Sequence, residues 1–283
     1  MILCPKAIHL QKMTRTIRLV AIDLDGTLFN TQQQVSRGSC VALGRALEAG
    51  IQPIIVTGRG RPNVVSLLES IDLDLPYICS AGSLVCSGRN GRVISARTFH
   101  SKPEMDRVIA FVREKDTGLV ADGLEQDMWF GPDHLITDLD PFTASSTRLG
   151  FRTFEPEKDF DRPFLKVSIV GSRGLLARAE EEVLVHCPSF HHIFAGLSYV
   201  DITARGVDKG SALEIYGNNR GTPLAEIAAI GDQPNDQSML GLAGLSIAMG
   251  NAPENVKTSA EWIAPTNDED GVAWALDKIL EMQ

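Results

Sequence analysis

Residues 17–27 read Ile17-Arg-Leu-Val-Ala-Ile-Asp23-Leu-Asp25-Gly-Thr27, a nearly continuous apolar run that stops at a carboxylate. Such a run is the pattern of a strand buried on both faces, as in a parallel sheet covered by helices. Working outward, a helical pattern runs from Ser36 to Ala49, with Ser36 as N-cap and Gly50 as the stop. A second strand follows at Gln52–Val56, a second helix at Pro62–Ile71 with Pro in its first turn, and a third strand at Tyr77–Cys79. Strands alternating with helices predict a parallel sheet wrapped by helices.

The rhythm then changes. Ser83–Cys86 and Arg92–Ile94 flank a turn-rich Ser-Gly-Arg-Asn-Gly and predict a hairpin. Helices are expected at Lys102–Lys115 and Gly174–His186, and short strands at Leu119–Asp122, Asp127–Phe130, Phe164–Val170, Phe190–Phe194 and Tyr199–Thr203. That mixture predicts an α+β module with an antiparallel sheet. From about Val207 the first rhythm returns: helix Lys209–Tyr216, strand Ile227–Ile230, helix Gln237–Ala243 and strand Leu245–Met249. Helix Pro253–Ala260, strand Trp262–Ala264 and helix Gly271–Met282 close the chain. The expected organisation is a discontinuous α/β core, residues 1–86 and 204–283, with residues 87–203 inserted as an α+β domain.

At roughly 150 residues per domain, 283 residues allow about two domains. A composition of 43% hydrophobic and 22% charged residues is that of a folded protein and excludes disordered and collagen-like classes. The net charge of −9, without a basic block, argues against a nucleic-acid partner, though not against a small phosphate-bearing ligand. The insertion carries 14 Lys+Arg against 18 Asp+Glu and the remainder 13 against 18. Most of the core's acidity is therefore four aspartates singled out below, Asp23, Asp25, Asp232 and Asp236. No apolar stretch reaches the ~18–20 residues of a membrane-spanning helix, and the first residues lack the pattern of a signal peptide. Met13 stands just before the first strand, so residues 1–12 are read as an extension or a misassigned start. Five cysteines with no CxxC pair point to reduced thiols and a cytoplasmic location.

Four boundary motifs carry chemistry. In Asp23-Leu-Asp25-Gly-Thr27, beyond the carboxyl end of a strand, one acid has room to attack and the other to move protons. Asp-Gly is equally a common turn pair, so this motif alone is balanced between a reactive site and a surface turn. Thr57-Gly58-Arg59, after the second strand, offers a phosphate a hydroxyl and an approachable backbone N–H, or simply opens a helix. Lys209, in Asp208-Lys209-Gly210, is either the usual solvated surface charge or, set beside the carboxylates, a cation that neutralises them and a bound phosphoryl group. Asp232-Gln-Pro-Asn235-Asp236 gathers the oxygen ligands a hard divalent cation takes, although Asn235 or Asp236 could instead cap the following helix.

In this order, the motifs resemble those of the haloacid dehalogenase-like hydrolase superfamily, and specifically its Cof-type phosphatases. Asn251-Ala-Pro-Glu-Asn-Val-Lys257 and Asn267-Asp-Glu-Asp-Gly-Val272 match Cof-type tails as well. The resemblance implies a Rossmann-like core with a cap domain and a Mg²⁺-dependent phosphomonoesterase. In it, Asp23 is the nucleophile and Asp25 the acid/base. Mg²⁺ is held by the Asp23 carboxylate, the Asp25 backbone carbonyl and the Asp232 carboxylate, with Asp236 in support. Leu24, Thr57, Gly58, Lys209 and Asn235 hold the phosphoryl group, and Lys209 also serves catalysis. The substrate class it implies is a small phosphorylated metabolite: a sugar phosphate, a nucleotide or a cofactor phosphate such as pyridoxal phosphate.

One departure stands after the third strand. The family has an Asn-Gly pair there and this chain has Ser80-Ala81-Gly82-Ser83, so Ser80, Gly82 and Ser83 are the candidate substrate contacts. His191-His192 falls on a strand, where neighbours face opposite ways, and is read as structural. Glu180-Glu181-Glu182 is read as a solvated helix face, and Trp129, Phe130 and Tyr199 as buried aromatics. Arg152 and Lys166 are basic candidates in the insertion without a motif. Two rivals remain: a sugar phosphomutase sharing the aspartyl-phosphate step, and a catalytically idle metabolite-binding or regulatory protein. No feature of the sequence reads out the oligomeric state.

Overall fold

The computed structural model describes residues 15–99, 101–124, 127–132, 135, 152–159, 163–195 and 198–283. The expectation for residues 1–12 lies outside them. The first part of the chain forms β1 (Leu19–Ile22), α1 (Arg37–Glu48), β2 (Gln52–Val56), α2 (Arg61–Ser70), β3 (Tyr77–Cys79), β4 (Leu84–Cys86) and β5 (Val93–Ala96). The middle forms α3 (Lys102–Glu114), β6 (Gly118–Asp122), β7 (Met128–Phe130), β8 (Arg152–Thr153), α4 (Pro156–Asp159), β9 (Lys166–Val170), α5 (Arg173–Glu182), β10 (Phe190–Ala195) and β11 (Tyr199–Ala204). The last part forms α6 (Lys209–Arg220), β12 (Ile227–Gly231), α7 (Gln237–Leu242), β13 (Leu245–Ala248), α8 (Glu254–Lys257), β14 (Trp262–Ile263) and α9 (Gly271–Met282).

An eight-stranded sheet has the order β14-β13-β12-β1-β2-β3-β4-β5. Its first six strands in that order pair in parallel, and β4 and β5 add an antiparallel hairpin. The hydrophobicity of β1 is explained by its central place. Val20 and Ile22 pack into a cluster with α1, α2 and α9, while Leu19 and Ala21 pack into a second cluster with α6 and α7. Both faces are thus dry, and alternate residues serve opposite layers. The chain runs from β1 outward to β2 and β3 on one side and returns to fill β12, β13 and β14 on the other. The β1–β12 junction is therefore the point where strand order reverses, and the carboxyl ends of strands at such a point are where open α/β sheets bind ligands.

A six-stranded sheet, β10-β11-β9-β6-β7-β8, is built from residues 118–204. Its strands pair antiparallel except β7 with β8. Met105, Val108, Ile109 and Val112 of α3 and Leu176 and Ala179 of α5 pack on it, so this sheet has its own core. Strand β5 belongs to the larger sheet although it lies beyond residue 87.

Element ends follow side-chain chemistry. Ser36 caps α1 by accepting from Ser39 N–H at 2.9 Å. The helix from Lys209 continues past the expected Tyr216, because buried Gly217 fits under Ile227 and Gly221 supplies the left-handed cap. The helix expected over Pro253–Ala260 is only α8. Thr258 Oγ1 and Ser259 Oγ bond back to the carbonyls of Glu254 and Val256, at 3.0 and 2.8 Å, and the turn ends.

Candidate active site

Asp23 follows β1 directly, and its N–H donates to the Ile230 carbonyl of β12 at 3.0 Å. Asp232 follows β12. Parallel pairing at the switch point is what brings the two carboxylates side by side. Gly26, at φ +80°, allows the chain to turn so tightly that a Cβ there would run into the Asp232 carboxylate. Thr27 Oγ1 then donates to Asp232 Oδ1 at 2.9 Å, while Gln233 Nε2 donates to Oδ2 at 3.0 Å.

Asp236 does not cap α7 with its side chain. Instead its Oδ2 accepts from the N–H groups of Asp232 and Gln233, both at 2.9 Å, and its Oδ1 accepts from Lys209 Nζ at 2.6 Å. Asp208 caps α6 by accepting from Ser211 N–H at 2.7 Å, which fixes Lys209 in the first turn. From there Lys209 Nζ also donates to Asp23 Oδ1 at 2.6 Å. The side chains of Lys209, Asp23 and Asp236 are 3%, 6% and 0% exposed, so this is a dry triad bridged by one ammonium.

Asp23, Asp232 and Asp236 each bring an oxygen within 4.8 Å of the others, the one such group of potential metal ligands among the described residues. Three carboxylates against a single ammonium leave an excess of negative charge where water cannot screen it. Burial and then the Asp236 charge push Asp23 well above the usual carboxylate range, against the pull of Lys209. Asp232 is pushed up to about 7 by burial and Asp236, opposed by Gln233, Thr27 and Lys209. Burial disfavours the Lys209 charge, but Asp23 and Asp236 more than compensate and raise its pKa. A hard dication fits both the oxygen donor set and the uncompensated charge.

Other expected residues gather around this centre. The Leu24 side chain is wholly buried in the core, leaving only its backbone for a ligand. Thr57 is fully buried at the end of β2, and its Oγ1 accepts from Arg59 N–H at 3.1 Å. Asn235 lies in the turn before α7, with Oδ1 buried and without a partner among the described residues. Ser80, Ala81 and Gly82 all have positive φ, at 50°, 55° and 104°. This is a conformation that asparagine adopts more readily than serine or alanine, so the departure from Asn-Gly places strain beside the site. The segment is tied down where Ser80 N–H meets the Arg59 carbonyl (2.8 Å) and Ala81 N–H meets the Thr57 carbonyl (3.2 Å). The Ser80 and Ser83 hydroxyls are buried without a partner among the described residues. Gly82 is required by packing: its Cα lies against the Asp208 carbonyl.

Asp25 turns away from the carboxylate triad. Arg59 holds it through Nε to Oδ2 at 2.9 Å and through Nη2 to Oδ1, while Gln33 Oε1 accepts from the same Nη2 at 2.5 Å. The guanidinium lies over the Phe29 ring, 4.8 Å from its centroid. Sequence reasoning assigned Arg59 no role, and it also missed Asn251. That amide donates to the Gly26 carbonyl at 2.8 Å and accepts from Asn267 N–H at 3.0 Å, fastening the motif turn from behind.

The remaining candidates fall in the smaller sheet. Trp129 and Tyr199 are buried in one apolar cluster, while Phe130 is partly buried. Along β10, His191 and His192 pair with Thr203 and Ile202 of β11. His192 Nε2 lies 3.4 Å from a Glu180 carboxylate oxygen. Arg152 falls on β8, its side chain outside the described residues. Lys166, by contrast, crosses to the larger sheet and donates to the Gly58 carbonyl at 2.7 Å.

An acidic cluster and one lysine at the switch point, met by the smaller sheet through Lys166, mark a Rossmann-like α/β core with a cap. The chain belongs to the haloacid dehalogenase-like hydrolase family, whose model matches residues 20–276. It is 28% identical over 93% of its length to phosphatase YwpJ of Bacillus subtilis (strain 168), covering 100% of that protein. It is likewise 28% identical to the 5-amino-6-(5-phospho-D-ribitylamino)uracil phosphatase YwtE of the same strain, over 94% of this chain and 99% of that one. A solved haloacid dehalogenase-like hydrolase from Bacteroides thetaiotaomicron matches with a TM-score of 0.81 at 26% identity, covering 93% of this chain and 100% of the other. No helix among the described residues is long and apolar enough to cross a membrane.

Proposed function

We propose that this chain is a Mg²⁺-dependent phosphomonoesterase acting on a small phosphorylated metabolite through an aspartyl-phosphate intermediate. The observation that carries this reading is the pairing of Asp23, bonded to Lys209, with a second carboxylate two residues on that Arg59 holds clear of the triad. The relatives' printed names, a phosphatase and a phosphoribitylaminouracil phosphatase, support the reaction and the substrate class.

In the first half-reaction Asp23 attacks phosphorus and the ester P–O bond breaks, while Asp25 gives its proton to the departing alkoxide. In the second, Asp25 takes a proton from water as the water oxygen attacks phosphorus, and Asp23 leaves as a carboxylate with inorganic phosphate released. The Thr57 hydroxyl, the Gly58 N–H, the Leu24 backbone and Lys209 orient the phosphoryl oxygens, with Asn235 alongside. Asp23, Asp232 and the Asp25 carbonyl would hold Mg²⁺, with Asp236 positioning Asp232 and Lys209 from behind. When bound, Mg²⁺ supplies the positive charge that keeps these carboxylates ionised and draws charge from the phosphoryl oxygens.

Residues 1–86 and 204–283 are the catalytic core in this reading and residues 87–203 the cap, with β5 moving the first crossing to beyond Ala96. The cap excludes bulk water and chooses the leaving group. The test is a panel of sugar phosphates, nucleotides and pyridoxal phosphate, each assayed for phosphate release with Mg²⁺ and with a chelator. Release that needs the metal supports the reading. Isomerisation without release, dependent on a bisphosphate primer, would replace it with a mutase.

A further inference from the structure

Lys166, the first residue of β9, has a side chain only 7% exposed. Its ammonium is fixed from the cap side by Asp201 Oδ1 at 3.2 Å and Asp122 Oδ2 at 3.7 Å. Both acids are placed by sheet register, because Asp122 pairs with Lys166, and Asp201 with Ser168, whose Oγ donates to Asp201 Oδ1 at 2.7 Å. Asp127 completes the cluster. Its carboxylate rests on Gly60, with Oδ2 2.6 Å from where a Cβ would stand. Asp122 and Asp201 thus hold one lysine, while Asp201 and Asp127 lie against Gly58 and Gly60 of the core.

On the core side, a single peptide receives that lysine. The Gly58 carbonyl accepts from Lys166 Nζ, and the N–H of the same peptide, that of Arg59, donates to Thr57 Oγ1 at 3.1 Å. Since Thr57 Oγ1 is occupied as an acceptor, its own proton is left for another group. The Arg59 side chain carries the connection on to Asp25 at 2.9 Å. A charge-assisted bond at the head of such a series polarises and aligns the rest.

We propose that Lys166 is a positioning residue coupling the seating of the cap to the setting of the phosphate-binding loop. Seated, the cap lysine fixes the 58–59 peptide, and with it the Thr57 hydroxyl, the Gly58 N–H and the reach of Arg59 to Asp25. With the cap lifted, water replaces the lysine at the Gly58 carbonyl and the loop loses its alignment. The chemistry this serves is the phosphate-ester reaction proposed above.

The test uses the full chain with Lys166→Met, Lys166→Arg and the double variant Lys166→Met/Asp201→Asn, which removes the nearer of the two carboxylates left unpaired. Steady-state kinetics on an aryl phosphate monoester with Mg²⁺ are combined with hydrogen exchange at residues 57–60 and thermal melting. The expected result for Lys166→Met and for the double variant is a kcat lower by ~10–100-fold with KM changed by less than about threefold. Exchange at the Arg59 amide should be faster, and Lys166→Arg should restore part of both. A merely structural lysine would lower the melting temperature without moving kcat or local exchange. If Lys166→Met does not fold, the double variant decides. A cooperatively melting double variant with wild-type kcat and wild-type exchange at Arg59 overturns the coupling. Should the wild-type chain release phosphate from no ester, the proposed function fails, and exchange at Arg59 still decides the coupling alone.

Discussion

Arg59 grips Asp25 with both arms of its guanidinium fork, Nε standing 2.9 Å from Oδ2 while Nη2 meets Oδ1. The arginine is itself 6% exposed and stacked on Phe29, whereas the Asp25 side chain is 43% exposed. A buried, rigid partner therefore orients an accessible carboxylate, and one arm of the fork has to release before Asp25 carries the proton that the leaving group takes. Arg59→Lys keeps the charge and loses the planar fork. Its kcat on a phosphate monoester should fall by ~10–100-fold in a variant that still melts cooperatively, since misorientation of a reacting group carries that scale of loss.

Asp25→Asn tests the acid/base itself. The substitution keeps size and removes proton transfer, so the rate should fall by ~10²–10⁴-fold. The pH–rate profile checks it: the variant should lose one of the ionisations that shape the wild-type curve.

Lys209 is the sole cation bonded to Asp23 and Asp236 among the described residues. Lys209→Met leaves two dry carboxylates facing one another, which should destabilise the fold by about 3–5 kcal/mol in denaturant unfolding. Added Mg²⁺ should raise the melting temperature of this variant more than that of the wild type, because it supplies the missing charge.

Asp127 provides a pH signature of the cap–core boundary. Burial, then the Asp122 charge, pushes its carboxyl up to about 8 from an ordinary 3.8, against the pull of Lys166. The folded chain therefore holds this proton more tightly than the unfolded chain does. Its contribution to stability is complete below pH ~4 and is lost as pH rises through about 8. Asp127→Asn should remove that slope. Relative to wild type, the variant should gain about 4–5 kcal/mol between pH 4.5 and pH 9, read from unfolding curves at the two values.

How much of this was legible in the sequence depends on distance along the chain. Strands β1, β2 and β3 and helix α9 stand out because their apolar periodicity is strong and their ends carry Gly, Pro or Ser signals. The carboxylate cluster stands out because each member closes or opens an element, so a parallel sheet had to bring them together. The early end of α8 was hidden because side-chain hydroxyls, not a helix breaker, terminate it. Arg59–Asp25 and Lys166–Gly58 join residues 34 and 108 apart, across different strands and, for the second, across two sheets. No local pattern encodes such pairs. Lys166 looked like any basic residue until strand register set it beside Asp122 and Asp201.

The central claim is that Asp23 carries the phosphoryl group. Acid-quenched samples taken during turnover of a phosphate monoester with Mg²⁺, digested and examined by mass spectrometry, test it most directly. The account predicts a phosphoryl group on the peptide containing Asp23, and its absence together with turnover in folded Asp23→Asn. Undiminished turnover by that variant, or a phosphoryl group on any other residue, would contradict it.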